Sequence, residues 1–197
     1  MKPAALGFRV HSGWAAVVAV AGPADAPSVV IRRKVELVGT FTYTFRQPYH
    51  TAARMRSEEA PKFIERCRDE AGQLGSTALR EIGRELASID LKVRRCGLLL
   101  ASARPLPPLE RILASHALIH TADGELFRAA IARACQRRAL PLRGVKERDL
   151  LLLASQSLRI RPDALRRRLT ELGRGLGPPW SQDEKLSALI AWLVLVR

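Results

Sequence analysis

The sequence predicts one α/β domain over residues 1–197, a sheet covered by helices, and three observations carry that reading. Stretches that alternate or run apolar over strand lengths crowd the amino-terminal part, and two more follow later, each set between helical stretches. Hydrophobic residues make up 47% of the chain and charged ones 26%, which excludes wholesale disorder and is enough to bury a substantial core. No internal repeat and no linker long enough to divide the chain interrupts the pattern.

Taken in order, Leu6 to Val10 reads as a strand, Ser12-Gly13 as a break, and Trp14 to Val20 as a second strand. Gly22 to Pro27 has turn chemistry, after which 28–38 reads as a third strand; the short separations make the three an antiparallel meander. Thr40 to Thr51 mixes aromatic and polar residues (Phe41, Tyr43, Phe45, Tyr49) and is expected to extend that sheet or cover its edge. A helix is expected over 61–88, carrying Phe63, Ile64, Cys67, Leu74, Leu79, Ile82 and Leu86, with Gly72 and Gly75 kinking or breaking it. Residues 91–101 alternate and then become wholly apolar, as a strand entering the middle of a sheet does. Pro105, Pro107 and Pro108 end it and open a helix over 109–139, either one long helix or two stacked ones. A short strand at 140–145, helices at 146–155 and 162–172, a flexible connection at 173–179 and a last helix from Ser181 complete the chain.

The three cysteines, Cys67, Cys96 and Cys135, are odd in number and show no CxxC spacing, so they read as reduced, buried thiols of a cytoplasmic protein. Trp14 to Ala21 followed by Ala24-Asp25-Ala26 has some features of a signal peptide, but Arg9, His11 and Ser12 confine the apolar run, and a strand is the preferred reading. Leu186 to Val196 is too short to span a bilayer and reads as a buried helix, so no membrane association is expected.

The formal net charge is +14, with a pI near 11.0, which attracts polyanions and makes nucleic acid the first partner to consider. Of the 33 basic residues 27 are Arg, a balance that a GC-rich genome produces as readily as selection for a ligand. The excess is spread evenly, +6 over residues 1–100 (16 basic, 10 acidic) and +8 over the rest (17 basic, 9 acidic). Candidate phosphate contacts are Arg9, Arg32, Arg33, Arg166, Arg167, Arg168 and Arg174, the last in a Gly-rich segment that is not a Walker loop. Trp14 and Trp180 are candidate stacking surfaces for bases, while Trp192 sits in an apolar helix and reads as core.

The segment from Ser115 to Arg128 is the most distinctive. On one continuous helix His116, His120, Asp123 or Gly124, and Phe127 share a face, and an i,i+4 histidine pair with a nearby carboxylate has the donor set for zinc or another transition metal. Ala117 stands where an H-E-x-x-H motif would need glutamate, so metalloprotease chemistry is unsupported. Core histidines bonded to backbone are the commoner outcome for such a pair. Gly124 implies either close packing or a break that would make Thr121 the N-cap of a new helix. Asp183 and Glu184 lie in Ser181-Gln-Asp-Glu184, an S-x-x-E capping box, and capping is the preferred role for both.

The order of elements resembles the ribonuclease H-like fold, and within it the RuvC-type Holliday-junction resolvases. Leu6-Gly-Phe-Arg9 followed by Ser12-Gly-Trp-Ala-Ala-Val-Val18 is similar to their first strand and turn. Gly124 within Leu118 to Ala134 is similar to the glycine of their central helix, Leu140 to Lys146 to the short strand and lysine that follow, and Trp180 to Ala191 to the acidic terminal helix. The resemblance implies a mixed five-stranded sheet, three antiparallel then two parallel strands flanked by helices, and a partner that is DNA or RNA. It also implies carboxylates around two divalent metals that activate water against a phosphodiester. Here Arg9 stands at the first-strand aspartate position and Leu98-Leu-Leu-Ala101 ends the central strand where a glutamate belongs. Asp183 and Glu184 alone fall where an acidic ligand would, too few to hold two metals.

Three functions follow as expectations. The first is a catalytically degenerate nucleic-acid-binding protein; the second is a metal-dependent nuclease with a relocated site of His116, His120, Asp123 and Asp183 around Mg or Zn. The third is an interaction or scaffold protein, with homo-oligomerisation compatible with any of them.

Overall fold

In the computed structural model, which describes residues 1–101 and 105–196, five strands form one sheet. They are β1 (Lys2–His11), β2 (Trp14–Ala21), β3 (Ser28–Glu36), β4 (Leu91–Leu100) and β5 (Leu142–Lys146), in the spatial order β3-β2-β1-β4-β5. The first three are antiparallel, and β4 and β5 continue the sheet in parallel from β1, the mixed sheet expected from the sequence. The helices are α1 (Tyr43–Arg46), α2 (Pro48–Ala52), α3 (Ala60–Ser88), α4 (Leu109–Leu113), α5 (His116–Arg137), α6 (Glu147–Leu158), α7 (Pro162–Leu172) and α8 (Gln182–Leu195).

Because side chains alternate along a strand, β1 serves two cores. Leu6, Phe8 and Val10 point into the layer under α3 and α5. Gly7 faces the opposite layer, where α8 lies against β1, β2 and β4 with α6 and α7 beside it. From Leu186 onward helix α8 is apolar on every side apart from Ser187, the mark of a segment enclosed by its own protein. Its close seat depends on two glycines paired across β1 and β4. A Cβ on Gly7 would lie 1.9 Å from the carbonyl oxygen of Ser187, and one on Gly97 would lie 2.5 Å from the Ile190 side chain. The Ser187 hydroxyl donates to the Ala16 carbonyl (3.1 Å) and Trp192 Nε1 to the Ala24 carbonyl (2.9 Å), so polar groups carried into this layer are satisfied. Among the described residues no helix is long and apolar enough to cross a membrane.

Several sequence expectations need correction. Residues 40–51 do not extend the sheet; they form α1 and α2, which pack on α3 and α5 through Tyr49 and Ala52. Helix α3 is unbroken at Gly72 and Gly75, because tertiary packing outweighs the roughly 1 kcal/mol propensity cost of each glycine. Gly75 lies where α5 approaches, its Cβ position 3.6 Å from the Ala134 methyl. The 109–139 stretch splits at 114–115 rather than at Gly124, so α5 runs continuously through Gly124 and Thr121 is not an N-cap. The Thr121 hydroxyl instead donates to the Ala117 carbonyl, and the bare side of Gly124 accommodates the Arg128 guanidinium. The 173–179 connection contains a 3₁₀ turn over Arg174–Leu176, held by Arg32 donating to the carbonyls of Leu176 (3.2 Å), Gly177 (2.9 Å) and Pro179. All three cysteines are free and buried, and burial pushes the Cys67 thiol up to about 11, leaving it protonated and unreactive at neutral pH.

Candidate functional site

Two clusters of ionisable side chains stand out, and the topology explains both. The first lies at the carboxyl ends of β1 and β4, in a cleft of about 570 Å³ lined in part by Arg9, His11, Leu99, Leu100, Arg128 and Glu147. Gly7, Arg9 and His11 alternate onto the α8 side of β1. Gly7 sits against Ser187, so Arg9 reaches the α8 residue one turn earlier, Asp183. The Arg9 guanidinium also makes a two-pronged pair with Glu147, the first residue of α6, Nε to Oε2 at 3.1 Å and Nη2 to Oε1 at 3.0 Å. His11 Nε2 lies 2.9 Å from Asp183 Oδ1, and the His11 ring stacks on Trp14 at 4.4 Å between centroids.

These contacts fix the charges. Burial works against the Arg9 cation, but the Glu147 and Asp183 bonds overcome it and raise the pKa above the ordinary value. Burial likewise works against the Asp183 anion, and the His11 and Arg9 bonds overcome it, so its pKa is lowered. The two acids of the S-x-x-E segment therefore part company. Glu184 closes the capping box with the Ser181 amide (2.8 Å), while the Asp183 carboxylate pairs with Arg9 and His11.

The two divalent metals that the resemblance implies do not fit this cleft. Leu99 and Leu100 at the end of β4 offer no ligand atom, and the carboxylates of Glu147 and Asp183 are bonded to a guanidinium. Glu147 escaped the sequence reading; its signal was its position just after a parallel strand, at the strand end where sites of open α/β sheets gather.

The second cluster joins α2 to the start of α5. His116 and His120, one turn apart, meet His50 of α2, and each of the three offers a ring nitrogen within 4.8 Å of the others. Ring centroids are 4.3 Å apart for His50 and His120, 4.4 Å for His116 and His120 and 5.5 Å for His50 and His116, with the planes inclined by 67–90°. Asp123, only 3% exposed, makes its hydrogen bonds to α2. It accepts from the Tyr49 amide (2.7 Å) and pairs with His50 Nδ1 (2.5 Å). Burial raises its pKa above the ordinary aspartate value despite these bonds. Sequence reasoning had His116, His120 and Asp123 together but missed His50, which sits 73 residues before Asp123 in a segment read as extending the sheet or covering its edge. Asp183 pairs with Arg9 and His11 and is not part of this cluster.

The candidate phosphate-binding arginines are dispersed. Arg9 and Arg32 are committed internally, Arg33 pairs with Glu85 (2.5 Å) and Arg166 with Asp163 (3.1 Å), and Arg168 donates weakly to the Asp25 carbonyl (3.4 Å). Arg167 and Arg174 are exposed. Trp180 is taken up by packing on Gly173 and by donation from Nε1 to the Leu169 carbonyl (2.8 Å); Trp192 is core.

No family model and no curated protein matches the chain. Solved structures do. The Thermus thermophilus RuvC structure aligns over 96% of this chain and 92% of its own, with TM-score 0.50 and 10% identity. T. thermophilus RuvC in complex with a Holliday junction substrate aligns over 96% and 90%, with TM-score 0.53 and 9% identity. At such identities the likeness is one of fold: the chain has the ribonuclease H-like α/β fold of the RuvC resolvases.

Proposed function

We propose that this chain is a nucleic-acid-binding protein that contacts phosphates through arginines on a RuvC-like fold whose two-metal cleavage chemistry has been lost. One observation carries the loss of chemistry: the Arg9 guanidinium grips Glu147 and reaches Asp183, so the cleft holds a cation bonded into the protein where the fold's nucleases gather divalent ions. The partner class is supported by the +14 charge and by the similar fold of a resolvase described in complex with a Holliday junction. Arg167 and Arg174 remain available for phosphates. A stronger concentration lies along α3 and β4, where Arg80, Arg84, Lys92 and Arg138 line a groove of about 400 Å³ with no carboxylate in its lining.

The test is a binding titration of labelled four-way junction, duplex DNA, single-stranded DNA and RNA at two salt concentrations. Salt-sensitive binding is expected, with Arg84→Ala and Arg138→Ala each lowering the salt slope by about one. Failure to bind any of the four overturns nucleic-acid recognition and leaves the scaffold reading. Cleavage in Mg²⁺ or Mn²⁺ by the wild-type chain overturns the lost chemistry.

A further inference from the structure

The histidine cluster is independent of that reading and goes beyond it. Three of the chain's four histidines converge on one spot from two elements that are distant in sequence. Neighbouring rings lie 4.3–5.5 Å apart with their planes inclined by 67–90°, so they meet edge to face rather than stacking flat. The fourth group is a carboxylate behind the ligands, not among them. Asp123 holds His50 through Nδ1, which leaves Nε2 as the nitrogen that can ligate. A carboxylate that fixes the tautomer and orientation of a ligating histidine is the usual outer-shell partner of a metal-bound imidazole.

We infer that His50, His116 and His120 bind one zinc-class divalent ion, with Asp123 as the positioning residue. Three neutral imidazoles suit zinc and its late first-row neighbours and suit Mg²⁺ or Ca²⁺ poorly, since those ions prefer oxygen. Tetrahedral ligands at 2.0–2.1 Å from zinc stand about 3.3 Å apart, so the 4.8 Å spread closes by side-chain rotation. His116 and His120 are exposed and free to make that adjustment, whereas His50, 11% exposed and bonded to Asp123, is the fixed member. Their exposure leaves the fourth coordination position to water. The ion fastens α2, and with it the segment between β3 and α3, to α5.

The test uses the full chain freed of metal with a chelator and titrated with Co²⁺, then with Zn²⁺ in competition. One equivalent of Co²⁺ with the visible absorption of a tetrahedral site, displaced by Zn²⁺, is expected. His116→Ala and His120→Ala abolish that band; both positions are exposed, and a circular dichroism spectrum matching wild type shows that the fold survives. Asp123→Asn keeps the one-to-one stoichiometry with affinity weakened about 10–100-fold, a split that a merely structural aspartate would not produce. Absence of the Co²⁺ band in the wild type, its survival in the His116→Ala/His120→Ala double variant, or equal affinity for Mg²⁺ overturns the inference.

Discussion

At the ends of β1 and β4, two carboxylates face a guanidinium. About 12 Å along the axis of α5, from Arg128 back to His120, three imidazoles face one another with one carboxylate behind them. The first cluster contains its own cation and satisfies its acids internally; the second contains donors only. An ionised carboxylate half removed from water needs a positive partner, and Arg9 supplies one permanently. The three imidazoles of the second have no such cation bonded to them among the described residues and present ring nitrogens that a metal can take. The difference lies in which side chain occupies the position facing the acids, and one residue of β1 decides it.

The largest expected effect tests how the cleft is built. Gly97→Val thrusts a branched side chain into Ile190 of α8 and should cost about 3 kcal/mol or prevent folding, as read by urea unfolding; Gly7→Ala should be nearly as costly because its neighbour is backbone. A change below about 1 kcal/mol in both would mean that α8 does not depend on the paired glycines.

Arg9→Asp removes the built-in cation and sets a third carboxylate beside Glu147 and Asp183. We expect a loss of about 2 kcal/mol, between the values for surface and buried pairs. Mn²⁺ or Mg²⁺ should recover part of that loss in thermal melts while leaving the wild type unmoved. A variant indifferent to divalent ions would erase the contrast between the two clusters.

Asp123→Asn, measured without metal, should cost about 1 kcal/mol, because the amide oxygen can still accept from one of the two donors, the Tyr49 amide or His50.

The smallest effect is a pH dependence. The Asp183 pKa is lowered on folding from its ordinary 3.8, so its ionised form contributes stability that is complete above that value and is lost as pH falls through the lowered one. Asp183→Asn should therefore melt below the wild type at pH 7, with the two curves converging in acid. A gap that stays constant down to pH 2 would remove Asp183 from the ion-pair account.

Residue spacing was a good guide wherever structure is local. The meander of β1 to β3, the apolar α8 and the shared face of His116 and His120 follow from periods of 2 and 3.6 and from short turns. Arg9 was visible as a departure from the family's first strand, but nothing local showed what it would bond, since its partners lie 138 and 174 residues away. His50 was hidden for a related reason. Its segment has aromatic and polar residues at strand-like frequency, and it becomes helical only because Asp123 accepts the Tyr49 amide and α3 and α5 receive its apolar side.

The sequence by itself therefore determined the order of elements, the antiparallel meander and the absence of carboxylates at Arg9 and over 98–101, because each is written in neighbouring residues; the mixed sheet came with the resemblance that this order carries. Tertiary structure alone decided that Glu147 and Asp183 would close on Arg9, that Gly7 and Gly97 would seat α8, and that His50 would complete a trio. Those meetings depend on strand order and helix seating, and side chains brought together across more than 70 residues of chain leave no period in the sequence to read.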